Sequence, residues 1–394
     1  MAIASKCCPP APQLPWLMLH SHPYSLKDNC FLSLSDEKIY KSSNPTNSIC
    51  TARYCVGSVE GWLIMVESDL WRPKCVIIDD DPSSNFYTTV NFFLNPISGA
   101  QVMLPSQSTI PCPYSCFIFF LAKVVASSPP TSSLHSCLVA CICSGHYNLA
   151  FCRPTQKSWT LIHLGNENTD LFFRDIEIID QKIYAATWKA GQLALIVFDI
   201  DLDASSYRAE RFVILHPRPC MFRNIRRTDG VENYTKNDVI YLAKDSASRE
   251  LYMIFRTTSH AYDYDPIIPW DILGGNYVIP PQTEGFQVFK LDHGNSGHSW
   301  KEVFDFGDQI LFVCNASNKF ISATDLGAHN HKIVEGNCIY FAFDYPYFGS
   351  AGFTKRDFGM FSMTNKTIKP LALPNDYFLT RLVAQSVWFT PHPW

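Results

Sequence analysis

The hydrophobic positions of this chain recur with a period of two and show almost no helical period. Short runs of β-branched, aromatic and Cys residues alternate with turns rich in Gly, Asn, Asp or Pro, as at 62–66, 90–94 and 192–200. Such alternation over four to eight residues is typical of half-buried β-strands. The whole chain contains roughly 24 to 26 of these runs, which indicates an all-β protein.

A weak internal repeat favours a propeller over a sandwich or a barrel. A polar turn followed by a strand ending in Ile-Tyr occurs at 35–40, 180–184 and 335–340. Val-Phe strands and strands that begin with Trp follow in a similar order, with Trp at Trp159 and Trp300. One such unit describes a four-stranded blade, which repeats about every 40 to 50 residues. The strand count therefore predicts a β-propeller with about six blades.

No change in composition divides the chain, so we expect one propeller domain over 14–394 after a Pro- and Cys-rich disordered tail at 1–13. A propeller hides its sheet edges by completing one blade with strands from both chain ends. The segment 31–40 resembles the repeat unit yet precedes the first full blade. We therefore expect it to pair with strands near 355–388.

Composition and charge exclude several classes of protein. The 394 residues include 32 basic and 36 acidic side chains, which leaves no basic excess for binding nucleic acid. The longest apolar stretch, 116–122, ends at Lys123 and is too short to cross a membrane. Fifteen cysteines without a repeated spacing predict buried free thiols, with Cys141 and Cys143 on one strand face. We expect an intracellular protein, in the cytoplasm, the nucleus or both, because such thiols need a reducing compartment.

Several fragments look catalytic but lack the partners that their chemistry needs. Asp357-Phe358-Gly359 matches the metal-binding triplet of kinases, yet the Gly-rich loop, strand lysine and catalytic loop are missing. The acidic run 79–81 lacks the spaced oxygen ligands of a calcium loop. No phosphate-binding loop or dinucleotide fingerprint occurs. We therefore predict that the protein is not an enzyme and has no catalytic residue, cofactor or metal.

The aromatic residues fall into two groups. Four tryptophans lie within strand patterns and are expected to pack in the blade core: Trp62, Trp159, Trp300 and Trp388. A long stretch at 259–281, rich in Pro and Gly, is interpreted as a loop carrying rigid apolar anchors of the kind that bind proteins. The candidate partner-binding residues are Tyr262, Tyr264, Trp270 and Tyr277. The alternative is that these rings only hold the loop against the propeller.

Four phrases of the sequence resemble a known family when they are read in order. They are the strand and Ile-Tyr unit at 31–40, Gly-Trp-Leu-Ile-Met-Val at 61–66, Leu-Asn-Pro-Ile-Ser-Gly-Ala-Gln at 94–101 and Leu-Ala-Phe-Cys-Arg-Pro at 149–154. This order resembles the plant F-box-associated KIB-type β-propeller family, which is kelch-like in character, and the resemblance extends from about residue 13 to 394. It implies protein–protein interaction, namely substrate recognition for ubiquitination. Family members usually begin with a helical F-box that docks on the cullin–RING adaptor. Here a further family-like phrase, Pro-Trp-Leu-Met-Leu, already occurs at 15–19, which leaves no room for that module. We therefore expect no direct binding to that adaptor.

Two classes of function follow. The first is a protein-binding propeller whose partner is a client protein, which the KIB name suggests is a kinase for one branch of the family. The second is a propeller that binds a small ligand or catalyses a reaction, with polar groups converging on the central channel. A truncated or decaying paralogue is a third alternative.

Overall fold

A computed structural model describes residues 13–20, 28–43, 52–68, 89–111, 120–132, 134–144, 146–163, 171–189, 192–200, 209–215, 223–226, 233–262, 277–294, 297–326, 334–342, 357–371 and 386–392. In these ranges 26 β-strands form six separate sheets, arranged as the blades of a β-propeller. One short 3₁₀ turn, Gln107–Thr109, accompanies them, and the described ranges contain no α-helix. The predicted all-β propeller with six blades is confirmed.

Blade one is built from both ends of the chain. Its sheet order is β26-β1-β2-β3, with β1 (Trp16–His20), β2 (Asp28–Ser33), β3 (Ile39–Ser43) and β26 (Val387–Phe389). The closing contact is antiparallel pairing of β1 with β26, in which Leu17 lies opposite Trp388. The expected closure is therefore present, but the segment 31–40 does not make it. That segment supplies parts of β2 and β3, because the five residues 16–20 form a complete strand that takes the place next to β26.

Blades two to four each consist of four antiparallel strands in chain order. Blade two contains β4 (Ala52–Val59), β5 (Trp62–Ser68), β6 (Thr89–Leu94) and β7 (Gln101–Leu104). Blade three contains β8 (Leu121–Ala126), β9 (Val139–Cys143), β10 (Asn148–Cys152) and β11 (Thr160–Leu161). Blade four contains β12 (Phe172–Ile179), β13 (Lys182–Lys189), β14 (Gln192–Ile200) and β15 (Ala209–Leu215).

Blades five and six have five strands each. Blade five contains β16 (Arg223–Arg226), β17 (Asn233–Lys244), β18 (Leu251–Tyr262), β19 (Tyr277–Gly294) and β20 (Gly297–Val303). Blade six contains β21 (Gln309–Val313), β22 (Asn318–Ser322), β23 (Cys338–Phe341), β24 (Gly359–Ser362) and β25 (Thr367–Pro370). In blade six, β22 lies at the sheet edge beside β21, and β21 pairs in parallel with β23.

The hydrophobic core is divided among the six interfaces between neighbouring blades. Each of six clusters of buried residues draws its members from two adjacent sheets. The period-two pattern explains this division, because alternate side chains of a strand point to opposite faces. In β1, Leu17 and Leu19 pack toward blade six, whereas Met18 packs toward blade two. Both faces of this blade are therefore covered, and the four expected core tryptophans are all at most 9% exposed.

The cysteines behave as the composition predicts wherever they are described. Eight are free and buried. Cys141 and Cys143 belong to the same cluster between blades two and three, so they do share a strand face. Burial raises the pKa of the Cys55 thiol to about 12, which keeps it protonated at neutral pH. These side chains therefore act as small apolar residues in the core.

Candidate functional site

Three of the innermost strands carry a β-bulge. The strands β4, β8, β12 and β17 contact one another in succession around the disc, with β26 and β22 flanking them at either end. The pairing register of β4, β8 and β12 slips directly before Gly57, Lys123 and Asp175 respectively. A bulge bends the strand and re-aims the side chain that follows it. The three bulges place these residues at the inner contacts between blades.

Asp175 connects four blades. Its carboxylate pairs with the ammonium of Lys123 in blade three and accepts the backbone N–H of Leu242 in blade five at 2.7 Å. It also accepts the side-chain amide of Asn318 in blade six at 3.0 Å and the N–H of Ile176 at 2.7 Å. Burial raises the pKa of Asp175 to about 6, while Lys123 acts to lower it. The carboxylate is thus occupied by donors from the protein itself.

Trp388 links the remaining blades. Its carbonyl accepts the hydroxyl of Ser58 in blade two at 2.6 Å and that of Ser317 in blade six at 2.8 Å. Between blades two and three, a Cβ on Gly57 would lie 1.9 Å from the carbonyl oxygen of Val124, so only glycine allows this approach. Contacts of this kind run through all six blades. We call this set the inner ring; its members are Gly57, Ser58, Lys123, Asp175, Ser317, Asn318 and Trp388.

The inner ring is a set of structural contacts that hold neighbouring blades together. A general base needs an oxygen that is free to reach a substrate proton, and Asp175 already accepts from four groups. One residue beyond the ring, Lys319 donates to the hydroxyl of Thr390 at 2.6 Å, and burial lowers the pKa of its ammonium to about 8. Within the described residues, no cluster of three or more His, Cys, Asp or Glu side chains is placed to hold a metal ion.

Blade five extends beyond the other blades. Its strands β17 and β18 have 12 residues each and β19 has 18, whereas the longest described strand elsewhere has nine. Pairing continues from the blade as far as Asn233 opposite Tyr262 and Tyr262 opposite Tyr277, and β16 adds a further strand. We call the parts 223–226, 233–237, 258–262 and 277–284 the projecting sheet.

The projecting sheet corrects the interpretation of 259–281 as a loop. Residues 259–262 and 277–281 belong to strands. Pro280 and Pro281 suggested a turn, but they lie in β19 where its register with β18 slips. Proline cannot donate to a ladder, so it is tolerated at such irregular positions.

The four candidate partner-binding residues divide into two pairs. Tyr262 ends β18 directly opposite Tyr277, the first residue of β19, so the backbone brings these two together at the tip of the projecting sheet. Tyr264 and Trp270 lie outside the described residues. Their part in a binding surface stays a prediction.

A buried arginine anchors the projecting sheet to the disc. Arg256, only 1% exposed, donates from Nε to the hydroxyl of Thr283 in β19 at 2.8 Å. Its Nη1 donates to the carbonyl of Ala342 at 2.7 Å and its Nη2 to the carboxylate of Asp357 at 2.9 Å, both in blade six or its connections. Thr283 also donates to Asp357 at 2.6 Å, and the guanidinium lies 4.8 Å from the ring centre of Phe341. We call these five residues the anchor cluster.

The sequence did not predict the inner ring or the anchor cluster, although each contains a charged residue that stands out in the sequence. Lys123 was noted only as an interruption of an apolar stretch, and Asp357 only as part of a chance triplet. A charged residue within an otherwise apolar strand, as in 121–126, 172–179 or 251–258, was the available signal. Such a residue is rarely buried unless it is paired, so it points to a partner elsewhere in the chain. It does not identify that partner.

The fold defines this protein as a six-bladed β-propeller, with its inner ring closed and one blade extended. A family model described as KIB1-4 beta-propeller matches residues 31–362, so the chain belongs to the KIB1-4 β-propeller family. This confirms the resemblance noted in the sequence. No curated protein has a matching sequence. In the described residues, no helix is both long enough and apolar enough to traverse a lipid bilayer.

Solved structures show only distant similarity. A functionally unknown protein from Desulfotomaculum acetoxidans is 8% identical with a TM-score of 0.35, over 97% of this chain and 100% of that one. A puromycin-hydrolyzing peptidase from Mycobacterium tuberculosis is 8% identical with a TM-score of 0.33, over 92% of this chain and 49% of that one. The WD40 domain of SCAP from fission yeast is 11% identical with a TM-score of 0.24, over 73% of each chain. Similarity at this level has no bearing on function.

Proposed function

We propose that this propeller is a protein-binding module, without enzymatic activity, whose client protein docks on the projecting sheet of blade five. The observation that carries the proposal is the length of β17, β18 and β19, which exceeds that of every described strand in the other blades. The part of this extra strand length that lies beyond the anchor cluster is available for a partner. Membership of a family that resembles substrate receptors supports the same class of function, and a kinase is one client class that the resemblance suggests.

Outside the projecting sheet, few described surfaces of comparable size remain for docking a partner, because the blade faces and the inner ring are occupied by contacts within the protein. The blade faces are used by the six clusters between neighbouring sheets, and the acceptor sites of Asp175 in the inner ring are occupied by the protein. Binding residues of scaffold proteins tend to lie on segments that extend from the packed framework. The projecting sheet is the largest such extension among the described residues.

The anchor cluster makes the projecting sheet a suitable docking element. Arg256 bonds to Thr283 within blade five and to Asp357 next to blade six, so the base of the projecting sheet is fixed to the neighbouring blade. A surface that is already ordered loses little conformational entropy when a partner binds. The pair Tyr262 and Tyr277 places two aromatic residues at the tip, and tyrosine is among the residues enriched in binding hot spots.

The proposal is tested by quantitative affinity capture with a double variant of the tip, Tyr262→Ser with Tyr277→Ser. We expect recovery of the client protein to fall at least about tenfold, in keeping with the loss of two hot-spot residues. The melting temperature should change little, since Tyr262 is the last residue of β18 and Tyr277 the first of β19, and strand ends contribute little to global stability. The matched control is Tyr147→Ser in blade three, which removes a tyrosine that is 55% exposed. Recovery equal to that of the control would contradict the proposal, and retention of a small molecule instead of a protein would favour the channel hypothesis.

A further inference from the structure

A pocket lies at the seam between blades one and six, close to where the two ends of the chain meet. Its volume is about 190 Å³. Leu32 and Leu34 of blade one form one wall, and Phe358 and Met360 of blade six form the other. Small-molecule sites usually enclose about 300–1,000 Å³. The seam pocket is therefore of a size to accept a single long side chain.

Tyr340 brings a phenol hydroxyl to the lining of this pocket. Tyr340 is 6% exposed, lines the pocket and stacks on Phe312 with the ring centres 5.1 Å apart. Among the residues that the structure describes, none makes a hydrogen bond to this hydroxyl. Burial raises the pKa of Tyr340, and the nearby carboxylate of Glu335 raises it further, so the phenol keeps its proton. Because no group of the described residues bonds to this hydroxyl, it is available to a ligand group that enters the pocket.

Two carboxylates flank the same pocket from opposite blades. Glu37 lies in the turn between β2 and β3, and Glu335 lies just before β23. Both are exposed, and neither is within 4 Å of a basic nitrogen in the described part of the chain. Lys369 on β25 contributes the opposing charge, so the three charged groups sum to one negative charge. The pocket thus combines apolar walls, a hydroxyl without a protein partner and an excess of acceptors.

We propose that the seam pocket binds an arginine side chain of a partner protein. The apolar walls suit the methylene stem, and the planar guanidinium offers five donors in a fixed fork. That fork has enough donors for carboxylates from both blades and the oxygen of Tyr340. An aliphatic side chain would leave the hydroxyl without a partner, and an acidic one would be repelled. The proposal rests on the proposed function only in that a protein supplies the arginine.

The test uses a probe that requires no partner protein. The chain has eight methionines, so methyl labelling gives few NMR signals, and Met360 reports directly on the pocket. The probe is Nα-acetyl-arginine amide, and Nα-acetyl-citrulline amide is its neutral control of nearly the same shape. We expect a saturable shift of the Met360 methyl signal with the arginine probe, at least about fivefold weaker with citrulline, because charge-assisted bonds are the stronger ones. Met103, exposed in blade two, should not respond.

Three variants assign the binding to the named groups. Glu335→Gln should weaken the arginine probe about fivefold and Tyr340→Phe about threefold, whereas Lys369→Gln should tighten it about twofold by removing a like charge. Glu302→Gln, an exposed glutamate of blade five, is the matched control and should leave binding unchanged. An unmoved Met360 signal, or equal shifts with arginine and citrulline, would overturn the proposal. Because no client is present, this result is separate from the capture experiment on the projecting sheet.

Discussion

The inner ring and the anchor cluster solve the same physical problem with different groups. Each buries an ion pair between blades, Lys123 with Asp175 in the ring and Arg256 with Asp357 in the anchor. In the ring a compact ammonium meets a carboxylate that also accepts donors from Leu242 and Asn318 in two further blades and from Ile176 in its own blade. In the anchor a planar guanidinium distributes its donors over several acceptors, and the carboxylate shares its oxygen with Thr283.

This difference assigns different roles to the two networks. The ring converges on one carboxylate, so its loss affects contacts among four blades at once. The anchor converges on one guanidinium at the base of a single extension, so its loss affects mainly the projecting sheet. Buried pairs are strongly destabilising when one partner is removed, because a charge remains without compensation. The two networks should therefore be separable into a global and a local effect.

The largest effect is expected for Asp175→Asn. This change leaves the Lys123 ammonium buried without a counter-charge. It also replaces one acceptor oxygen by an NH2 donor, which faces either the donors of Leu242 and Asn318 or those of Lys123 and Ile176. We expect the free energy of unfolding to fall by about 3–5 kcal/mol, which is measured by urea denaturation. The control Asp180→Asn removes an exposed pair with Arg249 and should change stability by less than about 1 kcal/mol. Similar losses for the two variants would show that the ring does not hold the blades together.

A smaller and more local effect is expected for Arg256→Lys. Lysine keeps the charge beside Asp357 but has three donors instead of five, so Thr283 or the carbonyl of Ala342 loses its partner. We expect a loss of about 2 kcal/mol. Hydrogen exchange should accelerate mainly at 258–262 and 277–279, with the amide of Leu242 in the ring little changed. Equal acceleration in both regions would contradict the division into a ring and an anchor.

The pH dependence of Lys123→Met sharpens the comparison further. Removing the ammonium takes away the influence that lowers the pKa of Asp175, so this pKa rises above its wild-type value of about 6. A folded state that holds a proton which the unfolded state has lost becomes less stable as the pH rises. The variant should therefore lose stability relative to wild type between pH 5 and pH 8, by about 1.4 kcal/mol for each unit of additional pKa shift. The control Lys182→Met, at an exposed pair with Asp199, should show no such trend in urea denaturation.

The smallest effect is expected for Lys290→Gln. The ammonium of Lys290 lies 2.9 Å from Glu250 on the outer side of blade five and lowers the pKa of that carboxyl. A carboxyl with a lowered pKa stabilises the fold above its ordinary value near 4.5, and this contribution is lost as the pH falls. Since the pair is partly exposed, the loss at pH 7 should stay below about 1 kcal/mol in urea denaturation. A loss as large as that of Arg256→Lys would mean that burial does not separate the two kinds of pair.

The architecture could be derived from the sequence because it depends on local alternation. Strands such as β9 and β14 carry their apolar pattern in full, and buried tryptophans such as Trp62 occupy the positions that the repeat unit assigns. The inner ring could not be derived, because Asp175 meets Asn318 across 143 positions of the chain. The projecting sheet was not predicted because Pro280 and Pro281 usually end strands. Here they lie in β19 at the point where its register with β18 slips. Tyr262 and Tyr277, which the sequence assigned to a loop, occupy paired positions of two strands, and their part in binding stays a prediction.

The pairing of β1 with β26 has a consequence for how the protein is made. Leu17 and Trp388 lie opposite each other, yet 371 positions separate them along the chain. At a translation rate of about 5–20 residues per second, roughly 20–70 s pass between the synthesis of these two residues. Throughout this interval β26 has not been synthesised, so the edge of β1 that will pair with it stays unpaired. An unpaired strand edge is a template for pairing with other chains, so the nascent protein has a defined period in which chaperones must protect it.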